Sequence, residues 1–166
     1  MTRNFLFREV QRWRDVPWVM VLVFGLAAAQ WWFFFEQIVR GIPVGNNPGS
    51  DTLVIIIWLV FGVGFPLFFL WLQMVVEVVP GEVIILYRPF VSRRIPIGDI
   101  ARVEPRVYRP LGEYGGWGIR GLGGRVAYNV SGNTGVELTL VDGRHVMIGT
   151  QKAAELAGAI YKAWGG

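Results

Sequence analysis

Three groups of residues in this chain have the types and spacing that chemistry would use. The first is a formal G-x-G-x-x-G, Gly116, Gly118 and Gly121, inside Glu113–Gly124, "EYGGWGIRGLGG". A dinucleotide site needs such glycines to leave a strand and open a helix, so that backbone N–H groups and the helix dipole face the pyrophosphate. Here Leu122, Gly123 and Gly124 follow and lead into another strand pattern, and no Gly-Lys-Ser/Thr is present. The glycines therefore read as corners around a short strand, Trp117–Arg120, that need positive φ or close backbone approach. The second group is His145 with Asp142 three positions before it, the arrangement of a general-base dyad. No serine or cysteine is placed to act as its nucleophile, so His145 reads as a strand residue at a hairpin end.

The third group is the arginines. From Pro80 onward there are 11 basic residues against 7 acids, nine of the basic ones arginine. Near an anionic leaflet each contributes about 1 kcal/mol of attraction within a Debye length. The adjacent pair Arg93 and Arg94 is the first choice for a lipid contact. Arg109, Tyr114, Trp117 and Arg120 are expected to form a protruding loop that touches bilayer or partner. Acids are interleaved throughout, so nucleic acid is not an expected partner.

The chain contains no cysteine and one histidine. That excludes disulfides, thiolate zinc sites, Fe–S clusters, cysteine nucleophiles and multi-histidine metal sites. No catalytic residue, metal or cofactor is expected, and the protein reads as a non-enzyme.

The elements that position these groups are of two kinds. Composition is 53% hydrophobic and 14% aromatic, with eight tryptophans. Pro17–Val39 carries only Gln30, Glu36 and Gln37 as polar residues, and Leu53–Val79 has no charge before Glu77. About 20 apolar residues in a helix cross a ~30 Å hydrocarbon core. The short loop Arg40–Asp51, rich in Gly, Pro and Asn, makes the two spans an antiparallel hairpin. A cleaved signal peptide is the competing reading of the first span; the apolar run "QWWFFF" directly after Ala27–Ala29 argues for an uncleaved helix. Arg3, Arg8, Arg12 and Arg14 precede the first span, Arg88, Arg93 and Arg94 follow the second, and Arg40 alone lies between. Both termini are therefore expected on the cytoplasmic side. Gly25 and Ala29 form a small-residue stripe that packs either the hairpin itself or a further helix. Gly62, Gly64 and Pro66 predict a kink in the second helix.

After Pro80-Gly81 the pattern changes to short alternating runs: Glu82–Pro89, Val91–Ile97, Ala101–Tyr108, Arg125–Val130, Val136–Val141 and His145–Gly149. Asp142-Gly143 predicts a hairpin turn, and Asn133–Gly135 another tight connection. The end of the second apolar run is itself predicted to be a strand, hairpinned through Pro80-Gly81, which leaves almost no linker between helix and sheet. Thr150 is expected as the N-cap of a C-terminal helix whose apolar stripe is Ala153, Leu156, Ala157, Ile160 and Trp164.

Ile95-Pro96-Ile97, Asp99-Ile100 and Val103, within "RRIPIGDIARVE", match positions of a bacterial pleckstrin-homology-like (PH-like) domain that follows two transmembrane helices. The chain resembles that group from about residue 74 to 164, plus the helical anchor. The resemblance implies a small antiparallel β half-barrel capped by one C-terminal α-helix, of α+β class, and it implies no reaction. The expected organisation is a basic cytoplasmic arm at 1–16, a transmembrane hairpin at 17–73 and a cytoplasmic PH-like domain at 74–166. The expected function is a membrane-anchored binding or scaffold module at the inner face of a bacterial membrane. Its expected partners are lipids and either another protein or a second copy. The alternative is an accessory subunit of a larger respiratory or photosynthetic membrane complex.

Overall fold

The computed structural model describes residues 4–165; Arg3, counted above in the basic arm, lies outside them. The chain divides into two compact units, Trp13–Leu72 and the combination of Met1–Arg12 with Gln73–Gly166.

Within the first unit, α1 (Pro17–Phe34) continues as π-helix over Phe35–Val39. The return helix is α2 (Asp51–Ile57), a π-helical stretch Trp58–Gly64, and α3 (Phe65–Trp71). Ser50 caps α2, its hydroxyl accepting from Leu53 N–H at 3.4 Å. Gly62 and Gly64, two of the residues expected to kink the second helix, lie in this π-helical segment, and Pro66 follows it. Pro66 has no N–H to give the carbonyl four residues back, which is Gly62. That carbonyl accepts the Trp31 indole N–H at 3.1 Å. Gly62 is also required sterically, since a Cβ there would lie 2.8 Å from Trp58 Cδ1 and 3.4 Å from Gln30 Cβ. Phe34 stacks on Trp58 at 4.2 Å. On α1 the buried residues are Val19, Val23 and Ala27, one per turn. Gly25 and Ala29 are exposed, and nothing lies within 4 Å of a Cβ built on Gly25, so the stripe does not pack the hairpin.

The second unit holds two sheets. The first is β1 (Phe7–Arg12), β2 (Gln73–Val79), β3 (Glu82–Arg88) and β4 (Val91–Pro96), a meander in the order β1-β2-β3-β4. Its first strand comes from residues read in the sequence only as a basic arm. The second sheet contains β5 (Ile100–Val107), β6 (Gly118–Leu122), β7 (Arg125–Asn129), β8 (Thr134–Leu140) and β9 (His145–Gly149) in the order β5-β8-β9-β7-β6. Asp142-Gly143 turns β8 into β9 as expected. A tight connection near Asn133 does join β7 to β8, but the two strands are not paired: β9 inserts between them and runs parallel to β7. The domain is therefore α+β with two sheets, and antiparallel except at that pair.

Glu9, Gln11, Tyr87 and Arg93 share one face of the first sheet. From it Gln11 Nε2 donates to Gly149 O at 2.8 Å, Tyr87 Oη to Asn129 O at 3.2 Å, and Arg93 Nη1 to Tyr128 Oη at 3.3 Å. The second sheet presents Val136, Leu138, Val146 and Ile148 to the core, all at 0% exposure. α5 (Ala153–Trp164) adds Leu156, Ala157, Ala159 and Ile160. Trp164, expected in that stripe, is exposed. Thr150 is not the N-cap, which is Lys152; the Thr150 hydroxyl accepts from Lys152 N–H at 2.9 Å and donates to the Glu9 carboxylate.

Two glycine substitutions separate steric need from backbone entropy. A Cβ at Gly149 would lie 2.5 Å from Asn129 Cβ and 2.9 Å from Tyr108 Oη. Gly149→Ala is expected to destabilise the fold by about 1–3 kcal/mol. Gly158 sits mid-helix in open space, so Gly158→Ala is expected to stabilise by about 0.5–1 kcal/mol. Thermal unfolding of the two variants, followed by circular dichroism, tests the opposite signs.

Candidate functional site

The face of the second sheet that carries Glu137 is a polar surface built from several strands. Opposed residues share a face, which places Glu104, Glu137, Met147, Ala127 and Arg120 in one row and Thr139, His145 and Arg125 in the next. Glu137 lies in a strand that alternates apolar and polar, "GVELTL", and its neighbours Val136 and Leu138 take the core side. Over this face lies α4 (Pro110–Tyr114), a single helical turn. Pro110 suits the first turn, where no N–H is needed. Gly115 ends it at φ 75°, with Gly115 N–H on Leu111 O at 3.1 Å and Gly116 N–H on Pro110 O at 2.9 Å.

Arg106 on β5 is the hub. Its Nε donates to Glu137 Oε2 at 2.7 Å and its Nη2 to Glu113 Oε2 at 2.8 Å. These contacts, that to Glu113 foremost, hold the guanidinium above its ordinary value. Glu113 is held below the usual carboxylate range by Arg106 and then by the Arg109 N–H, which donates to Oε1 at 2.7 Å. The other Glu137 oxygen, Oε1, lies 3.5 Å from His145 Nδ1 and 3.8 Å from Arg125 Nη2. Neither Glu137 Oε1 nor His145 Nδ1, both buried, has a hydrogen-bond partner among the described residues.

Beside the charges is a buried phenol. Asn129 Nδ2 donates to Tyr108 Oη at 2.8 Å, and Asn129 Oδ1 accepts from Gly118 N–H at 2.8 Å. Tyr108 packs with Ala127 and Met147, and Tyr114 meets it edge-on at 5.9 Å. Burial pushes the Tyr108 hydroxyl above its ordinary value, against the hydrogen bond from Asn129. Burial also raises Tyr114, helped by the charge of Glu137. A cavity of about 260 Å³ opens between Glu113, Tyr114, Gly115, Gly121 and Arg125.

The structure brings four of the sequence-predicted contact residues into one region, though not as a protruding loop. Arg109 precedes α4 and is exposed, while Tyr114 is half-buried. Trp117 is also half-buried, its indole N–H donating to Gly132 O at 3.0 Å. Arg120 is exposed, and its Nε donates to Trp117 O at 3.1 Å. Arg93 and Arg94 lie on the other sheet and point to opposite faces. Arg93 reaches Tyr128, and Arg94 pairs with Glu82 at 3.3 Å. Asp142 does not meet His145; it pairs with Arg144 at 2.6 Å. Arg106, Tyr108, Arg125, Asn129 and Glu137 were not singled out from sequence. The polar positions of alternating strands, Glu137 and Asn129 above all, carried the available signal. Among the described residues no group of three or more His, Asp or Glu side chains could hold a metal.

The family match covers nearly the whole chain, residues 2–165. The protein belongs to the family described as "Family of unknown function (DUF6141)". Neither curated proteins nor solved structures give a match.

Tyr108 supplies the acceptor for a buried amide. Tyr108→Phe is expected to leave Asn129 Nδ2 unsatisfied and to cost about 1–3 kcal/mol. Folded Tyr108 and Tyr114 bind their protons more tightly than unfolded tyrosine does. Their contribution is complete below the ordinary tyrosine value and is lost as pH rises through the raised ones. Tyrosinate absorbance should therefore show late-titrating phenols in the native protein, one fewer in Tyr108→Phe.

Proposed function

We propose that this protein is a non-enzymatic binding or scaffold module, anchored by a two-helix hairpin in a bacterial membrane. Its two-sheet domain and both termini face the cytoplasm. The observation that carries the reading is the hairpin's surface. Its helices, Pro17–Val39 and Asp51–Trp71, are 23 and 21 residues long; their apolar 18-residue stretches have mean hydropathies of 1.8 and 2.7, and only 17% and 11% of those stretches is buried. A core helix of a water-soluble domain would bury such a surface; lipid covers it here. Arginine is concentrated on the flanks outside the hairpin, which supports the inward orientation.

Two sheets with a C-terminal amphipathic helix support a PH-like reading of the domain, and the parallel β7–β9 pair departs from a wholly antiparallel half-barrel. The binding role rests on the α4 face. Its ionisable groups are engaged with one another: Arg106 holds both Glu113 and Glu137, and His145 faces Glu137 rather than a hydroxyl nucleophile. That arrangement suits recognition better than turnover. Arg109, Tyr114, Arg120 and the cavity beside Arg125 form the partner-facing surface.

The second reading, an accessory subunit of a larger membrane complex, is favoured by one face of α1. Trp18, Leu22, Gly25, Ala29 and Trp32 follow one another at alternating four- and three-residue steps and are all exposed. Such a face lets another helix approach closely.

Extraction in mild detergent followed by native electrophoresis distinguishes the readings. A scaffold runs alone or as a homo-oligomer, and an accessory subunit co-migrates with a larger assembly. Because the chain has no cysteine, Asn46→Cys reports topology cleanly. A membrane-impermeant maleimide should label it from outside intact cells; labelling only after lysis would reverse the proposed orientation.

A further inference from the structure

We infer that the end of the first sheet from which the hairpin departs is a headgroup clamp for anionic phospholipid, made by Arg12 and Arg88 across Gln73, with Phe90 as its apolar tip. The inference rests on the membrane reading above and names residues other than the Arg93-Arg94 pair favoured by sequence.

The register sets the clamp. Arg12 pairs with Gln73, and Gln73 with Arg88. Directly opposed residues share a face, so the three stand side by side. The two arginines are two strand spacings, roughly 10 Å, apart at Cα, and guanidinium groups on such long stems can converge over the amide of Gln73. Arg12 is followed directly by Trp13, and Gln73 is preceded directly by Leu72, the first and last residues of the apolar unit. One peptide bond on each side therefore joins this row to the apolar hairpin, with no linker between. The β3–β4 turn at the same end carries Phe90, 62% exposed.

Charge pairing separates this end from the rest of the sheet. On the same face, Arg8 pairs with Glu77 at 3.1 Å and Arg94 with Glu82 at 3.3 Å. No side-chain ion pair or hydrogen bond engages Arg12 or Arg88 among the described residues. The rows Val10–Val75–Leu86–Ser92, Gln11–Met74–Tyr87–Val91 and Arg12–Gln73–Arg88 contain no acid. Two cations without an internal counter-charge, an amide between them and an exposed aromatic ring beside them match an anionic interface, where arginine meets phosphate and the ring enters the acyl boundary.

The test uses the full chain with Phe90→Cys, the only cysteine, carrying an environment-sensitive fluorophore. The protein is placed in nanodiscs of phosphatidylcholine alone or of equal parts phosphatidylcholine and phosphatidylglycerol, each with a headgroup spin-labelled lipid as quencher. The expected result is a blue shift and quenching in the anionic discs, reduced by high salt. Arg12→Gln/Arg88→Gln should lose most of that quenching, and Arg12→Lys/Arg88→Lys should keep most of it. The charge-matched control Arg94→Gln/Arg102→Gln should behave as the parent. A label at Asp142→Cys should stay in water, because its turn lies at the far end, where Val141 N–H bonds Asp99 O and Ile97 N–H bonds Gly81 O. Equal signals at position 90 in both lipids, or no effect of the Gln pair, would overturn the clamp while leaving the anchor intact. Release by inorganic phosphate, but not by chloride of equal ionic strength, would make a soluble phosphate the ligand and also overturn it. A chain that stays dispersed in buffer without detergent and does not enter the discs would defeat the membrane reading itself.

Discussion

The antiparallel pairing of Phe7–Arg12 with Gln73–Val78 is the constraint on which the rest of this structure depends. It joins segments separated by the whole apolar hairpin, Arg8 and Glu77 being 69 residues apart. The pairing buries Glu77 to 6% exposure and gives its carboxylate the Arg8 guanidinium, so a charge that would be expensive in the strand is compensated. It also brings the two ends of the hairpin side by side, Trp13 N–H donating to Leu72 O at 3.2 Å. Through Glu9 and Gln11 the same strand reaches Thr150 and Gly149, so the chain's beginning helps to hold β9 and the approach to α5.

From that frame the α4 face follows by alternation and by glycine. Strands β8 and β9 give one side to the core and leave Glu137, His145 and Met147 on the other. Gly135 and Gly149 lie on that same side. A Cβ at Gly135 would come 2.5 Å from Ile148 O, and one at Gly149 would strike Asn129 and Tyr108. The missing side chain at Gly149 opens the room that Tyr108 and its hydrogen bond from Asn129 occupy. A polar network on a sheet face is costly unless nearly every group is engaged. Here the exceptions, Glu137 Oε1 and His145 Nδ1, face each other beside Arg125.

Much of the architecture was legible because it rests on periodicity. The two apolar helices, the β2–β3 hairpin through Pro80-Gly81, the Asp142-Gly143 turn and α5 all follow from local patterns. What escaped depends on non-local pairing. Phe7–Arg12 carries three charges in six residues and reads as a basic arm, and only its register with β2 reveals its role. The insertion of β9 between β7 and β8 leaves no mark in the turn residues at 131–133. Arg93 and Arg94 are neighbours in sequence, yet the strand sends them to opposite faces, which only the register shows. The α4 turn was hidden in a glycine-rich stretch, although Pro110 and Gly115 are the residues that open and close a helix. Thr150 looked like a cap by type, and its hydroxyl is used instead to tie Glu9 to the start of α5.

The edge strand also sets an order of events during synthesis. β1 leaves the ribosome first, but its partner emerges only after both apolar helices have been made. At ~5–20 residues per second, a separation of 69 residues is a wait of roughly 3 to 14 seconds. During that interval Phe7–Arg12 has no strand to pair with, and the sheet cannot close until the hairpin has left the ribosomal exit. Completion of the sheet therefore waits on synthesis of the hairpin, and until β1 and β2 meet, the β2 edge that β1 covers stays open.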